Sequence, residues 1–284
     1  MATNSPSPFP ESGSRKLSPK ETMQRAKAVS CTLPTGKRPS CSGQVFVGLF
    51  FDGTDNNLER DYDGLPPERR RHSNVVKLFH TYVNEPDKGY FRIYIPGVGT
   101  EFSKIGDSGA SWESAAGSAA AWKGEDRIIW GLIQVLNAPH RFACNGAYLI
   151  PDGQAKTIVS NAASALEPGA MRRVILNTWL DKLTGILKTR SPRVEQINLS
   201  VFGFSRGAAE ARACVNWLFE VCKQEGGGWT LAGIPIRLQF LGIFDTVASA
   251  GLANLFDGGT LAGHQSWADN TQEIHSAVGQ CPNR

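Results

Sequence analysis

The chain has 284 residues, of which 41% are hydrophobic and 20% are charged, and its formal net charge is +4 at pH 7. These proportions are those of an ordinary globular protein with enough apolar material for a sizeable core, and they exclude fibrous and wholly disordered chains. Gly and Pro are abundant, at 30 and 16 residues, which indicates many turns and loops.

Residues 1–43 differ in composition from the rest. They hold seven Lys and Arg residues against two Glu, so the remainder is close to neutral, and they contain eight Ser and six Pro. Such a segment buries too little apolar surface to offset the entropy of ordering, so we predict a disordered leader over 1–43 and one domain over 44–284. The nearly neutral body argues against nucleic acid as a partner. A tail attracted to anionic lipid is an alternative, although its charges are scattered and lack an apolar face.

The start of the chain shows no apolar signal-peptide core, and the longest apolar run, 45–51, is far too short to span a bilayer. Synthesis in the cytosol is therefore expected. The six Cys show neither the CxxC pairs nor the His spacing of structural zinc, so no metal site is predicted. Cys214 and Cys222 fall within one predicted helix and are expected to be core-facing thiols rather than a disulfide.

The hydrophobic pattern predicts strands that alternate with helices. Strands are predicted at 44–51, 90–95, 196–202 and 236–244, helices at 73–83, 127–136, 171–189 and 208–222, and a long loop at 100–121. The first strand is almost continuously apolar, as expected when both faces of a parallel sheet are covered. This order predicts the α/β class, with an α/β-hydrolase-like, mostly parallel sheet flanked by helices.

The segment SVFGFSRGAAEARA, residues 200–213, contains a G-x-S-x-G pentapeptide. A predicted strand runs into it and an Ala-rich predicted helix leaves it, as in the nucleophile elbow of α/β-hydrolases. Gly203 and Gly207 would let the strand and the helix pack closely around a strained turn, which leaves the Ser205 hydroxyl exposed. The backbone N–H of Arg206, at the helix start, would be one oxyanion donor. The structural alternative is an incidental Ser in a Gly-rich turn.

A nucleophilic serine needs an acid and a histidine, which follow the serine in that order in this fold. Asp245 comes directly after the fourth predicted strand, so it is expected at the same edge of the sheet as Ser205, although it could instead cap a helix. Two histidines follow this acid and three precede the serine: His264 and His275, then His72, His80 and His140. Only the first two have the required order.

The loop after the first predicted strand begins Asp52, Gly53, Thr54. The backbone N–H of Gly53 or Thr54 could supply the second oxyanion donor. A phosphatase with the motif D-x-D-G-T is one alternative, but Phe50 stands where that chemistry needs a carboxylate. The oxygen-rich Asp and Asn side chains at 52–57 could also bind calcium, although such residues more often satisfy backbone N–H groups in a turn.

Five motifs carry a resemblance, and they occur in the order LFFDGTDNN, YIPGVGT, RIIWGLIQVL, VFGFSRGAA and LGIFDTVAS. In this order they resemble the type VI secretion system phospholipase effectors of the first lipase class, an α/β-hydrolase family. The resemblance covers about 45–278. It implies a Ser–Asp–His lipase that requires no cofactor, with Ser205 as the nucleophile, Asp245 as the acid and His275 as the base.

The resemblance also implies a biological setting. Such effectors are made in the bacterial cytoplasm, bind a secretion spike protein and a cognate immunity protein, and hydrolyse membrane phospholipid in the recipient periplasm. The family commonly continues past the histidine with a membrane-contacting region, whereas this chain ends GQCPNR, which predicts a shortened member. The stretch 100–121, with Trp112 and the adjacent Trp122, could form a mobile lid beside the site, although the two Trp side chains could equally be buried. An esterase or thioesterase for a soluble substrate and a catalytically silent binding module are the alternatives.

Overall fold

The computed structural model describes residues 18–20, 22–23, 42–109, 118–163, 168–225 and 228–246. The strands are β1 Ser42–Phe51, β2 Tyr90–Ile95, β3 Glu101–Phe102, β4 Asp107–Ser108, β5 Arg193–Phe204, β6 Lys223–Glu225, β7 Gly228–Leu231 and β8 Ile234–Phe244. The helices are α1 Asn74–Thr81, α2 Ser118–Ala143, α3 Asp152–Ala163, α4 Pro168–Leu187 and α5 Arg206–Val221. Among the described residues, no helix has the length and apolar character needed to cross a bilayer.

Six strands form one sheet in the order β2–β1–β5–β8–β7–β6. The first four of these run parallel, and β7 and β6 add antiparallel pairs at one edge. The chain moves from β1 to β2 on one side and then crosses to β5 on the other. The carboxyl ends of β1 and β5 therefore form a topological switch point, where open α/β sheets bind their ligands. The predicted α/β class, with a mostly parallel sheet flanked by helices, is confirmed.

Helices cover both faces of β1, because successive side chains of a strand point to opposite faces. Phe50 packs against the ring of Phe79 in α1 on one face. Leu49 and Phe51 face α2 on the other, where a Cβ on Gly131 would already lie 3.1 Å from the Phe51 ring. Helix α5 packs against α2 and against β1, β5 and β8. This two-sided burial explains why the sequence of β1 is almost continuously apolar.

The predicted strands and helices are confirmed with shifted ends, and the first strand begins at Ser42 rather than at residue 44. Helix α3 and the strands β6 and β7 were missed. The sequence does carry a signal for α3, because its buried residues recur at helical spacing: Ala155, Ile158, Val159 and Ala162. Cys214 and Cys222 are buried free thiols, as predicted, and burial raises the pKa of both.

The long loop predicted over 100–121 is wrong for two parts of that stretch. Residues 101–109 contain the β3–β4 hairpin, and residues from 118 onwards belong to α2. The rest of the predicted lid, including Trp112 and the side chain of Trp122, lies outside the residues whose structure is described. The lid therefore stays a prediction for that part and is not supported for the hairpin.

A buried ion pair holds the hairpin in place. Arg127 of α2 is 0% exposed, and its guanidinium bonds the carboxylate of Asp107 at 2.8 Å. The same guanidinium also donates to three carbonyl groups that follow β2, those of Pro96, Gly97 and Thr100. A buried guanidinium needs this many partners because an unpaired buried charge is costly. The cluster thereby fixes the segment next to the loop after β1.

Candidate active site

The predicted site residues at the strand ends come together at one edge of the sheet. Ser205 follows β5, residues 52–54 follow β1, and Asp245 follows β8. Strand β5 lies between the other two, and its Gly203 pairs with the last residue of β1 on one side and with Ile243 of β8 on the other. The structure therefore places Ser205 between the loop after β1 and the turn that carries Asp245.

Ser205 lies in a strained turn between β5 and α5. Its φ is 56° and its ψ is −122°, a conformation that residues with a Cβ rarely adopt. Its N–H donates to the carbonyl of Phe244 at 2.9 Å, and its own carbonyl accepts from the N–H of Ala208 at 3.1 Å. Strand β8 and helix α5 thus hold the turn from both sides. This is the backbone geometry of a nucleophile elbow.

Two glycines allow this turn to pack against its neighbours, as predicted. A Cβ on Gly207 would lie 2.3 Å from the carbonyl oxygen of Asp52, and a Cβ on Gly203 would lie 2.4 Å from the carbonyl oxygen of Gly207. Both distances are far shorter than any contact a real Cβ makes. Helix α5 therefore begins closer to β1 and β5 than a side chain at either position would permit.

Asp52 is the centre of a hydrogen-bond network that the sequence analysis missed. Its carboxylate is buried and accepts hydrogen bonds from the hydroxyls of Tyr94 at 2.7 Å and Ser73 at 2.8 Å, and from the N–H of Gly53 at 2.8 Å. Burial raises the pKa of this carboxyl, and the three hydrogen bonds oppose that rise. Ser73 also caps α1 by accepting from the N–H of Val76. Asp52 thus connects the end of β1 to β2 and to the start of α1.

This network distinguishes between Gly53 and Thr54, the two candidates for the second oxyanion donor. The N–H of Gly53 is occupied by Asp52, which does not favour Gly53 as a donor. Within the described residues, the N–H groups of Thr54 and Arg206 have no hydrogen-bond acceptor. A Cβ on Gly97 would lie 1.7 Å from the Gly53 carbonyl oxygen and 3.2 Å from the Thr54 nitrogen, so only glycine at 97 leaves room for this peptide.

The side chain of Arg206 links helix α5 to the loop after β1. Its Nε donates a hydrogen bond to Oγ1 of Thr54, and the side chain is half-buried. Arg206 is the first residue of α5, whose N-terminal end carries a partial positive charge. A negative charge that develops beside Ser205 would therefore meet the N-terminal end of a helix, where the N–H of Arg206 has no acceptor among the described residues.

Asp245 lies where the sequence predicts it, directly after β8. The residue follows β8 with a φ of 45°, in the left-handed region that Asp tolerates better than most residues. His264 and His275 both fall in 247–284, outside the described residues, as does any helix that Asp245 would cap. The histidine of the predicted triad therefore stays a prediction.

The three upstream histidines have structural contacts of their own. Nδ1 of His140 lies 2.8 Å from the carbonyl oxygen of Ala147. The rings of His72 and His80 flank that of Tyr62, with centroids 4.8 and 4.6 Å apart from it, and burial lowers the pKa of His80. In the described part of the chain, no hydrogen bond joins any of the three to the serine.

Side-chain oxygen atoms of the loop after β1 already accept hydrogen bonds from other groups of the protein. Besides the three donors to Asp52, Arg60 forms an ion pair with Asp55 at 2.8 Å, and Oδ1 of Asn57 accepts from the backbone N–H groups of residues 59 and 60. These contacts do not favour the calcium alternative. Across the described residues, no group of three or more His, Cys, Asp or Glu side chains has an arrangement suited to a metal ion.

Glu210 is a buried carboxylic acid on α5 that the sequence analysis also missed. It is 1% exposed, and neither carboxylate oxygen has a hydrogen-bond partner among the described residues. Burial raises its pKa to about 8, although the positive charges of Arg127 and Arg206 act in the opposite direction. This raised pKa favours the protonated form of Glu210 at neutral pH, one helical turn after Arg206.

We expect Glu210 to make stability fall as the pH rises. Because its pKa is raised from 4.5 to about 8 on folding, its contribution is complete below about pH 4.5 and is lost as the pH rises through about 8. The free energy of unfolding should fall by about 1.4 kcal/mol per pH unit between these limits, relative to Glu210→Gln. Urea unfolding of both proteins from pH 5 to 9 measures this difference, and parallel curves would show that Glu210 is ionised in the folded state. Other titrating groups, including Glu125, contribute equally to the pH dependence of both proteins, so they do not affect the difference between the two curves.

The comparisons with known proteins add a fold relative and no activity. No protein-family model matches the chain, and no curated protein matches it. A solved structure described as that of an uncharacterized protein from Pseudomonas aeruginosa is 30% identical, with a TM-score of 0.67. The match covers 82% of this chain and 34% of that one, so this chain spans about a third of the length of its relative. The similarity supports the α/β fold.

Proposed function

We propose that this protein is a serine-dependent carboxylic-ester hydrolase, a phospholipase of the A type. The observation that carries the proposal is the strained backbone of Ser205 at a strand–helix turn, next to the N–H of Arg206, which has no hydrogen-bond acceptor among the described residues. Strain of this kind costs free energy, and residues that carry it cluster at active sites. A serine held in this way, with a hydrogen-bond donor beside it, suits acyl transfer.

The proposed reaction proceeds in two halves. The Ser205 oxygen attacks the acyl carbonyl carbon, a base takes the hydroxyl proton, and the carbonyl oxygen becomes an oxyanion that accepts from the N–H groups of Arg206 and Thr54. Collapse of this intermediate breaks the ester C–O bond, and the alcohol leaves with the proton. Water then attacks the acyl-enzyme in the same way, which releases the carboxylic acid and restores the serine.

The assignment of the other two triad residues rests on chain order and on the family resemblance. Asp245, at the end of the neighbouring strand, would orient the imidazole and stabilise its charged form, and His275 would be the base. None of these steps needs a cofactor. The proposed substrate is membrane phospholipid, which would yield a lysophospholipid and a fatty acid.

The family resemblance also supports a proposal for the setting. The protein would be an antibacterial effector, made in the bacterial cytoplasm and delivered by type VI secretion to the recipient periplasm. A secretion spike protein and a cognate immunity protein would be its partners. Its substrate would lie in the phospholipid bilayer of the recipient.

A fluorophosphonate probe tests the nucleophile directly. The probe reacts with activated serines, so we expect it to label the folded protein at one position, and mass spectrometry of the labelled peptide should place the adduct on Ser205. Heat-denatured protein is the control, because an unactivated serine does not react. An adduct on another serine, or none, would contradict the proposal.

Lipid substrates then separate the enzyme classes. We expect phosphatidylethanolamine vesicles to release lysophospholipid and fatty acid, and bacteria to stop growing when the protein carries an added periplasmic signal but not when it stays in the cytosol. Hydrolysis of short-chain esters without vesicle hydrolysis would favour a soluble-substrate esterase. Harmlessness in both compartments together with no ester hydrolysis would favour a silent binding module.

A further inference from the structure

Two contacts hold the carbonyl group of the Gly53–Thr54 peptide. Its carbonyl oxygen accepts from the N–H of Asn56 at 3.0 Å, and Gly97 packs directly against that same oxygen. The C=O and N–H of a trans peptide point in opposite directions. The N–H of Thr54 is therefore directed away from Asn56 and Gly97.

Thr54 itself is held by a further contact, from the residue that follows the nucleophile. Nε of Arg206 donates to Oγ1 of Thr54, and Asp52 and Phe51, just before Thr54, lie against Gly207 of the same helix start. Arg206 thus contributes its own backbone N–H next to Ser205, and its side chain binds Thr54, whose N–H also has no acceptor in the described part of the chain. A guanidinium holds such a contact with more directional control than a point charge would.

We propose that the side chain of Arg206 is a positioning residue, which acts through the hydroxyl of Thr54 to hold the Thr54 N–H in the oxyanion hole. This inference rests on the proposed function and deepens it, because it assigns the second donor to Thr54 rather than Gly53. The contact aligns the two donors with each other. Its loss would leave Ser205 in place and misplace one donor to the transition state.

A double-mutant cycle with Thr54→Val and Arg206→Met tests this proposal on a short-chain ester. Thr54→Val keeps the shape of the side chain and removes its oxygen, whereas Thr54→Ser keeps the oxygen. Active sites are counted by stoichiometric fluorophosphonate labelling, so that kcat refers only to folded, reactive enzyme. Each single variant should lose about 10- to 100-fold in kcat with less than about a threefold change in KM, because donors to an oxyanion act in the transition state.

The double variant should lose little more than either single variant, since both remove the same contact. Thr54→Ser should recover most of the kcat lost in Thr54→Val. A merely structural role would lower the number of active sites and leave kcat per site unchanged, which would overturn the proposal. Fully multiplicative losses in the double variant would also overturn it. A wild type that neither reacts with the probe nor turns over would overturn the proposed function and this inference together, whereas an active wild type with unaffected variants overturns the inference alone.

Discussion

Ser205→Ala is expected to lower ester turnover by at least about 10⁴-fold, because removal of the nucleophile closes the covalent route and leaves only the surrounding donors. The fold should be retained, since Ala is smaller than Ser and has the same backbone preferences. Steady-state kinetics on a short-chain ester measure the loss, and circular dichroism checks the fold. Wild-type turnover in purified Ser205→Ala would place the nucleophile elsewhere.

Ser205→Gly should be equally inactive and yet more stable than Ser205→Ala. The turn has a φ of 56°, which glycine adopts without the steric cost of a Cβ. Relief of about 1–3 kcal/mol of strain exceeds the entropy that glycine adds to the unfolded chain, about 0.5–1 kcal/mol, so we expect a net gain of about 1 kcal/mol in urea unfolding. A less stable Ser205→Gly would show that the turn is not strained. Comparison of the two variants thus distinguishes the role of the serine in catalysis from the effect of its backbone conformation on stability.

The sequence predicts the four parallel strands well, because burial on both faces leaves long apolar runs such as that of β1. The nucleophile elbow could also be predicted, since the pentapeptide at 203–207 is set between a strand and a helix, and both signals are local. The β3–β4 hairpin could not be predicted in this way. Its anchor is the contact between Asp107 and Arg127, twenty residues apart, and the segment itself is polar and rich in glycine.

The chemistry of the site could be predicted less well than the strands, because it depends on contacts between residues that are distant in the sequence. Asp52 has the sequence context of a turn residue, but its partners Ser73 and Tyr94 lie on other elements. The choice between Gly53 and Thr54 as donor follows only from that network. Glu210 is preceded and followed by small residues of an amphipathic helix, and nothing in its local sequence distinguishes a buried carboxylic acid from a solvated one. Burial of a charged residue type is set by packing between elements, which a local pattern does not record.

Gly207→Ala is expected to destabilise the protein by more than about 3 kcal/mol or to prevent folding. The new Cβ would lie 2.3 Å from the carbonyl oxygen of Asp52 and 2.6 Å from that of Phe51. Both atoms belong to the backbone at the end of β1, which the hydrogen bonds of the sheet hold in place. Helix α5 would have to move away from the sheet, and overpacking that shifts backbone is at the costly end of such substitutions.

Gly185→Ala in α4 is the matched control, because a Cβ there meets nothing within 4 Å. It should stabilise the protein by about 0.5–1 kcal/mol through the helix preference of alanine. Gly207 also lies in a helix and has no positive φ, so the same preference would favour its replacement. Any loss in Gly207→Ala is therefore attributable to the contact with β1. Thermal unfolding, with fluorophosphonate labelling of whatever folds, compares the two variants. Equal stability in both would show that α5 does not begin against the end of β1, and the placement of Ser205 beside Thr54 would then fail.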